Sequence, residues 1–287
     1  MYKEDLADIV GECVFASEKN RIPPDAARVP NIAGIRIFDR PIFGIADAGD
    51  PLFESFKDPL AIGSQYRTPQ EWLPGARSVI TYFFPFSEEI RKSNRRNGKM
   101  PSDEWLHGRI EGQELIVQFS KYLCGLLEER HYRSVSPSAD PSFVQYERTE
   151  NGRVFFESSW SERHAAYAAG LGTFGLSGGL ITVRGTAGRL GSVITALKLE
   201  PDLRLSDDIY GNCSLCLACA SVCPAGAISK EGGKDSGRCS RYLMEIKAQY
   251  DPYYGCGKCQ TGVPCENRIP AGRKYNRRMF QCEIPKR

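Results

Sequence analysis

Apolar residues recur at helical spacing in three stretches of this chain. Leu6, Ile9, Val10, Cys13 and Val14 share one face of a helix predicted over residues 3–17. Leu115, Ile116, Phe119, Tyr122, Leu123, Leu126 and Leu127 predict a long amphipathic helix over 111–130. A third, alanine-rich helix is predicted over 162–169, with Gly170 ending it. Residues 35–38 alternate like a strand, and 77–84 read as a buried strand closed by Pro85. Residues 154–156 read as a short strand. Residues 180–183 and 192–197 read as two more strands, joined by the glycine-containing turn 185–191. Two stretches lack a period. Residues 41–75 are rich in Pro, Gly and Asp and read as irregular. Residues 87–101 are basic and polar and read as an exposed loop. The order predicts an α/β domain over 1–205 and a small domain over 206–287.

The small domain is defined by cysteine. Eight of the chain's eleven cysteines lie there in one pattern. Cys213, Cys216, Cys219 and Cys223 are spaced C-x2-C-x2-C-x3-C and followed by Pro224. In the bacterial ferredoxin spacing three such thiolates hold one [4Fe–4S] cluster and the fourth reaches the other. Cys239, Cys256, Cys259 and Cys265 supply the remaining ligands. The expected sets are Cys213, Cys216, Cys219 and Cys265 for the first cluster, and Cys223, Cys239, Cys256 and Cys259 for the second. Structural zinc favours two C-x2-C pairs across a longer spacer, which differs from three cysteines at successive short intervals. Disulfides would need an oxidising compartment. Cys13, Cys124 and Cys282 fall outside the pattern, and Cys124 reads as a small buried hydrophobe.

Composition narrows the class further. The chain has 287 residues, 41% hydrophobic and 25% charged, with a formal net charge of +3. That balance is ordinary for a globular protein and too weak to argue for nucleic acid. No stretch is long and apolar enough for a membrane span, and the first residues do not read as a leader. The expectation is a cytoplasmic protein served by an external low-potential electron donor. The basic residues Arg273, Lys274, Arg277 and Arg278 read as solvated charge or as a dock for an acidic donor.

Gly170-Leu171-Gly172-Thr173-Phe174-Gly175 matches G-x-G-x-x-G. It follows a helix instead of a strand, and no acidic residue stands near 193–195, so the context of a dinucleotide site is missing. It reads as backbone that approaches a ligand or cluster closely, or as a turn closing a helix. With Arg153 to Ser159, the helix through Arg163-His164-Ala165-Ala166-Tyr167, and Arg238-Cys239-Ser240-Arg241-Tyr242-Leu243, this block resembles the epoxyqueuosine reductases. Those are similar to the cobalamin-dependent reductive dehalogenases. The resemblance covers about residues 75–268. It implies a nitroreductase-like α/β domain that binds base-off cobalamin, and a ferredoxin-like domain whose two [4Fe–4S] clusters feed the cobalt. The family carries an aspartate, proposed as proton donor, where this chain has Glu157. It often carries a lysine where Leu176 stands, and a proline after the last cysteine where this chain has Glu266. The helical-repeat region through which some members hold tRNA has no counterpart after the cysteine domain. A small-molecule substrate is therefore expected, and nucleic acid is not.

The candidate catalytic residues are Glu157, His164 and Tyr167. Glu157, beside Phe155, Phe156 and Trp160, would be a carboxylic acid in an apolar pocket with a raised pKa, or else an ion-paired residue with Arg163 as partner. His164 and Tyr167 lie three apart on one helix face, placed to donate a proton or to pack. Phe156, Trp160, Gly170, Gly172 and Gly175 are the expected walls of the cofactor pocket, opening beside the first cluster. Arg184, with Thr186 and Arg189, surrounds a turn and suits either a cofactor phosphate or solvent. The reading is a corrinoid-dependent reductase. An electron-transfer protein serving a partner, or an epoxyqueuosine-type tRNA reductase, is the alternative.

Overall fold

A computed structural model describes residues 14–150, 152–204, 206 and 208–271. The helix expected over 3–17 lies almost wholly outside them. Cys13, Cys282, the basic cluster at 273–278 and the boundary residues 205 and 207 lie outside them too.

Two strands dominate the fold because their sequences are apolar on both faces. β2 (Ser78–Pro85) is buried at every position. It pairs antiparallel with β8 (Gly188–Thr195), from Ser78 opposite Thr195 to Pro85 opposite Gly188. β1 (Ile42–Asp47) pairs with the other edge of β2, and the short β3 (Ser134–Val135) with β8, giving the order β1-β2-β8-β3. A central strand covered on both faces reads as one continuous apolar run.

The two covering layers divide the core. On one face Ile80, Tyr82, Phe84 and Val193 pack with Phe119, Leu123 and Leu127 of the long helix α4 (Asp103–Glu128). Ser102 caps α4, its hydroxyl accepting from the Trp105 N–H at 3.2 Å, with Asp103 and Glu104 in the first turn. On the other face Val79 and Ile194 pack with Trp160 and with Ala165, Ala166 and Tyr167 of α5 (Glu162–Ala168). Helix, sheet and helix thus form three layers. Gly44 of β1 is needed here, since a Cβ would meet the Ala169 carbonyl oxygen at 2.8 Å.

Trp160 belongs to this core. Its ring stacks between Phe53 (6.1 Å, 15°) and Tyr66 (5.7 Å, 16°), and its Nε1–H donates to Ser192 Oγ at 2.9 Å. It is 2% exposed. Trp160→Ala is expected to cost about 3–5 kcal/mol of stability. Chemical denaturation measures this, and a loss below about 1 kcal/mol would contradict a core role.

Several stretches differ from expectation. Residues 41–75 contain β1 and two short helices, α1 (Leu52–Ser55) and α2 (Pro69–Trp72). Residues 35–38 form only isolated bridges, Arg21 with Arg36 and Phe38 with Phe86. The stretch 87–101 is largely a helix, α3 (Glu88–Arg96). Its buried face is Ile90, Arg91 and Asn94, so a helical apolar stripe never forms. The strands at 180 and 192 do not pair with each other: β7 (Leu180–Thr182) pairs with β6 (Gly172–Phe174). β4 (Gln145–Glu150) and β5 (Arg153–Ser158) form a separate hairpin. The cysteine segment adds α6 (Ala218–Ser221), the short pair β9 (Ile228–Ser229) and β10 (Gly233–Lys234), and α7 (Ser236–Tyr250). No helix among the described residues is long and apolar enough to cross a membrane.

Candidate functional site

The C-x2-C-x2-C loop folds as a tight wrap. Leu215 and Leu217 both take positive φ, +52° and +62°. Large side chains avoid that conformation, so the surrounding structure must impose it. The wrap brings Cys213, Cys216 and Cys219 around a pocket whose wall is completed by Cys265, Gly175, Leu176, Ser177 and Ile181. The pocket holds about 360 Å³ of atom-free space, part of it open to solvent. Cys265 is carried there by the chain's return past the 185 turn. The Thr186 N–H donates to the Cys265 carbonyl at 2.9 Å and the Ala187 N–H to the Glu266 carbonyl at 3.0 Å.

The thiols sort electrostatically into two groups. Burial pushes Cys265 up to about 12, with Cys213, Cys219 and Cys216 adding to the shift. Burial likewise pushes Cys256 up to about 12, with Cys259 and Cys239 adding to it. Cys259 is raised by burial and then by Cys239 and Cys223. Cys219, raised to about 11 by burial, feels Cys259 first among the other thiols, so the two groups adjoin. Cluster binding takes these groups as thiolates, so it releases their protons. Among the described residues no three His, Cys, Asp or Glu side chains converge on the position of a single ion. Zinc would need four sulfurs about 2.3 Å from one point. Donors that each bind a different iron of a cubane need no such convergence.

The second group is held by α3 and α4. Asn94 Nδ2 donates to the Cys256 carbonyl at 3.2 Å and to Thr261 Oγ1 at 3.2 Å. Gly257 takes φ +65°, and a Cβ there would lie 1.9 Å from the Trp105 ring. Arg91 and Arg95 clamp Glu266, donating to its Oε1 at 2.9 and 2.6 Å.

Glu157 lies on the hairpin. Strand alternation puts it on the buried face, 8% exposed, and puts Phe156 on the opposite face, 51% exposed. Its partner is Arg148 on the facing strand, not Arg163: Arg148 Nε donates to Glu157 Oε1 at 2.6 Å. Arg148 also pairs with Glu150 and lies over the Phe155 ring. The carboxylate is seated on Gly63, where a Cβ would stand 2.4 Å from Glu157 Cδ.

His164 and Tyr167 share one neighbour, the Phe174 ring, at 4.9 and 5.9 Å. His164 also packs on Phe56, and its Nδ1 bonds Ser161 Oγ at 2.8 Å. Burial, with Arg163 beside it, drives its pKa down to about 3, so the ring is neutral at physiological pH.

The glycines approach protein more than ligand. At Gly170, φ +72°, a Cβ would meet the Leu203 carbonyl oxygen at 2.8 Å. At Gly172 it would meet the Ile181 carbonyl oxygen at 2.3 Å. Gly175 alone lines the pocket of the first cysteine group. Arg184 lies 3.8 Å from Asp39, on a turn packed against the Cys265 segment. Phe156, Trp160 and the glycine segment therefore do not wall one pocket.

Sequence reasoning missed Glu162, and it took Arg163 only as a partner for Glu157. Glu162 is held above the ordinary carboxylate range by burial. It accepts from Ser138 Oγ, and its Oε2 has no partner among the described residues. In sequence it reads only as a first-turn acid. Arg163 is accessible, yet burial lowers its pKa while Cys259 and Cys239 oppose that shift. Its guanidinium donates to the Gly178 carbonyl at 2.7 Å. Arg189 is lowered to about 9 by burial and then by Arg109, and it donates to Gln113. Two such guanidinium groups could serve a cofactor bearing a phosphate.

Comparison with known proteins agrees with this arrangement. A 4Fe-4S binding domain matches residues 208–229. The chain is homologous to epoxyqueuosine reductases. It is 32% identical to that of Bacillus anthracis over 212 residues, covering 68% of this chain and 50% of the relative. It is 33% identical to that of Francisella cf. novicida over 231 residues, covering 72% and 58%. It thus spans little more than half the length of these relatives. A catabolic reductive dehalogenase superposes with a TM-score of 0.54 at 15% identity, over 80% of this chain and 30% of that one, which is a likeness of fold. The fold is mixed α/β with a ferredoxin-like 4Fe–4S segment. The expectation that nucleic acid plays no part is overturned. The relatives are named for the reduction of epoxyqueuosine, a modified nucleoside.

Proposed function

We propose that this chain is a reductase whose two [4Fe–4S] clusters feed a bound corrinoid, and that its substrate is an epoxyqueuosine-type nucleoside carried on tRNA. The carrying observation is the sorting of eight cysteines into two adjoining groups, one of them lining a single pocket. Cys213, Cys216, Cys219 and Cys265 would hold the first cluster, and Cys223, Cys239, Cys256 and Cys259 the second. Arg163 and Arg189 would hold the corrinoid's phosphate, with Cys239 and Cys259 of the second group near Arg163. When bound, the corrinoid supplies the low-potential electrons at cobalt.

The chain's own residues do the rest. Removing an epoxide oxygen as water takes two electrons and two protons. Glu157 would deliver one of those protons to the leaving oxygen, and Arg148 fixes the direction in which its carboxylate points. Neutral His164 packs the helix behind it and offers no imidazolium. Exposed Tyr146, on the same face of the hairpin as Glu157, Arg148 and Arg153, suits stacking on an unstacked base with the arginines near its phosphates. A reducing compartment such as the cytoplasm keeps the thiols available.

The test is anaerobic. Reconstituted chain is mixed with cob(II)alamin, gel-filtered and examined by EPR, then given epoxyqueuosine-bearing tRNA and dithionite. Co-eluting cobalt and mass-spectrometric loss of the epoxide oxygen support the reading. Cobalt in the flow-through removes the corrinoid, and an intact epoxide with loaded cobalt removes the substrate.

A further inference from the structure

The second cysteine group contains a lysine that the fold has buried without a carboxylate. Lys258 lies between Cys256 and Cys259 in C-G-K-C and is 5% exposed. Its Nζ donates to the Asn94 carbonyl at 2.5 Å. No carboxylate pairs with it among the described residues, and the thiolates of Cys256 and Cys259 on either side are the opposite charges that cluster binding would bring. A buried ammonium is costly unless an opposite charge compensates it. Its place is also fixed, because Gly257 sits in a left-handed turn against Trp105 and admits no side chain. The neighbouring carboxylate, Glu266, is already held by Arg91 and Arg95.

Other cations gather at the same group. Lys234 acts on Cys259, and the Arg163 guanidinium feels Cys259 and Cys239. The pocket of the first group, by contrast, is lined by no lysine or arginine. The first group is also the more open one, with Cys216 exposed. Reduction adds one negative charge to a cluster, so a cation in a low-dielectric surrounding favours the reduced form and raises the potential.

We propose that Lys258 is the built-in counter-charge of the second cluster, and that with Arg163 it sets that cluster's reduction potential above the first cluster's. This rests on the two-cluster reading. An electron given to the chain by a low-potential one-electron donor then settles on the second cluster. The first cluster is oxidised by one electron as the second is reduced by one, with no atom transferred. Internal flow runs from the exposed Cys216 side toward Arg163.

The experiment is an EPR-monitored redox titration of the reconstituted wild-type chain and of Lys258→Gln, Lys258→Arg and Arg163→Gln, with iron counted in each. Lys258→Gln is expected to lower the higher of the two midpoint potentials and leave the lower one in place. The electron's partition between clusters should shift at least tenfold, about 59 mV for a one-electron couple. Lys258→Arg should keep the wild-type value, and Arg163→Gln should move the same potential in the same direction. Arg163 is remote from the ligand loop in sequence, so it reads the effect if Lys258→Gln fails to hold its cluster. Unmoved potentials, or equal movement of both, with about eight irons present overturn the proposal. About four irons in the wild type overturn the two-cluster reading instead.

Discussion

Serine in place of Cys265 is expected to halve the iron of the reconstituted chain, from about eight atoms to about four, and to abolish cluster-dependent reduction. A serine oxygen is a hard donor where the cluster needs a soft thiolate. The choice of Cys265 makes the test severe, because nothing in its local sequence resembles the first three ligands. It reaches them only through tertiary structure. Its carbonyl is held by the Thr186 N–H, and the next residue, Glu266, is buried under Arg91 and Arg95 and accepts the Gly262 N–H at 2.6 Å. Those contacts do not involve the sulfur, so the serine variant should keep its fold and lose only a ligand. Cys124→Ser is the control. Cys124 lies half-buried on α4, far in sequence from the cysteine pattern, and its loss should leave iron unchanged. Full iron in Cys265→Ser would break the assignment of the first set.

What the sequence revealed and what it hid follow one rule. Elements whose role is apolar packing were visible. β2, α4 and α5 bury repeating aliphatic and aromatic positions, and their spans match expectation within a few residues, except that α4 starts eight residues earlier. α3 was hidden because it buries Arg91 and Asn94, which clamp Glu266 and the Cys256 loop instead of filling a core. β1 was hidden because Pro41 and Gly44 read as loop, although Gly44 is there for the close approach of Ala169. The cysteine spacing announced its chemistry because ligand geometry fixes it. The charges that serve the cysteines carried no such mark. Lys258 belongs to no pattern in the sequence, and Arg148 became Glu157's partner only through hairpin pairing, where a linear reading had offered Arg163. Trp160 was legible as aromatic but not as core, since its stack draws on Phe53 and Tyr66 from the stretch that read as irregular.

Glu157→Gln is expected to lower turnover by about 10²–10⁴-fold while iron content and corrinoid binding stay as in the wild type. Glutamine is nearly isosteric and should fit the seat at Gly63, so the fold tolerates it. It has no acidic proton to give. It also replaces a charge-assisted bond from Arg148 with a weaker one to an amide oxygen, which loosens the aim of the side chain. The stability change should be small, since Arg148 is about a third exposed and still pairs with Glu150. Glu157→Asp separates the two contributions. It keeps the acid but shortens its reach by one methylene, so a partial loss of rate is expected with the pH profile of the wild type. The decisive pattern is a large loss in the glutamine variant, a partial one in the aspartate variant, and equal cobalt EPR in both. Wild-type turnover in Glu157→Gln would move the proton donor elsewhere in the site. Glu162 would be examined next, because it is buried beside Ser138, holds its proton above the ordinary carboxylate range, and keeps one oxygen unpartnered.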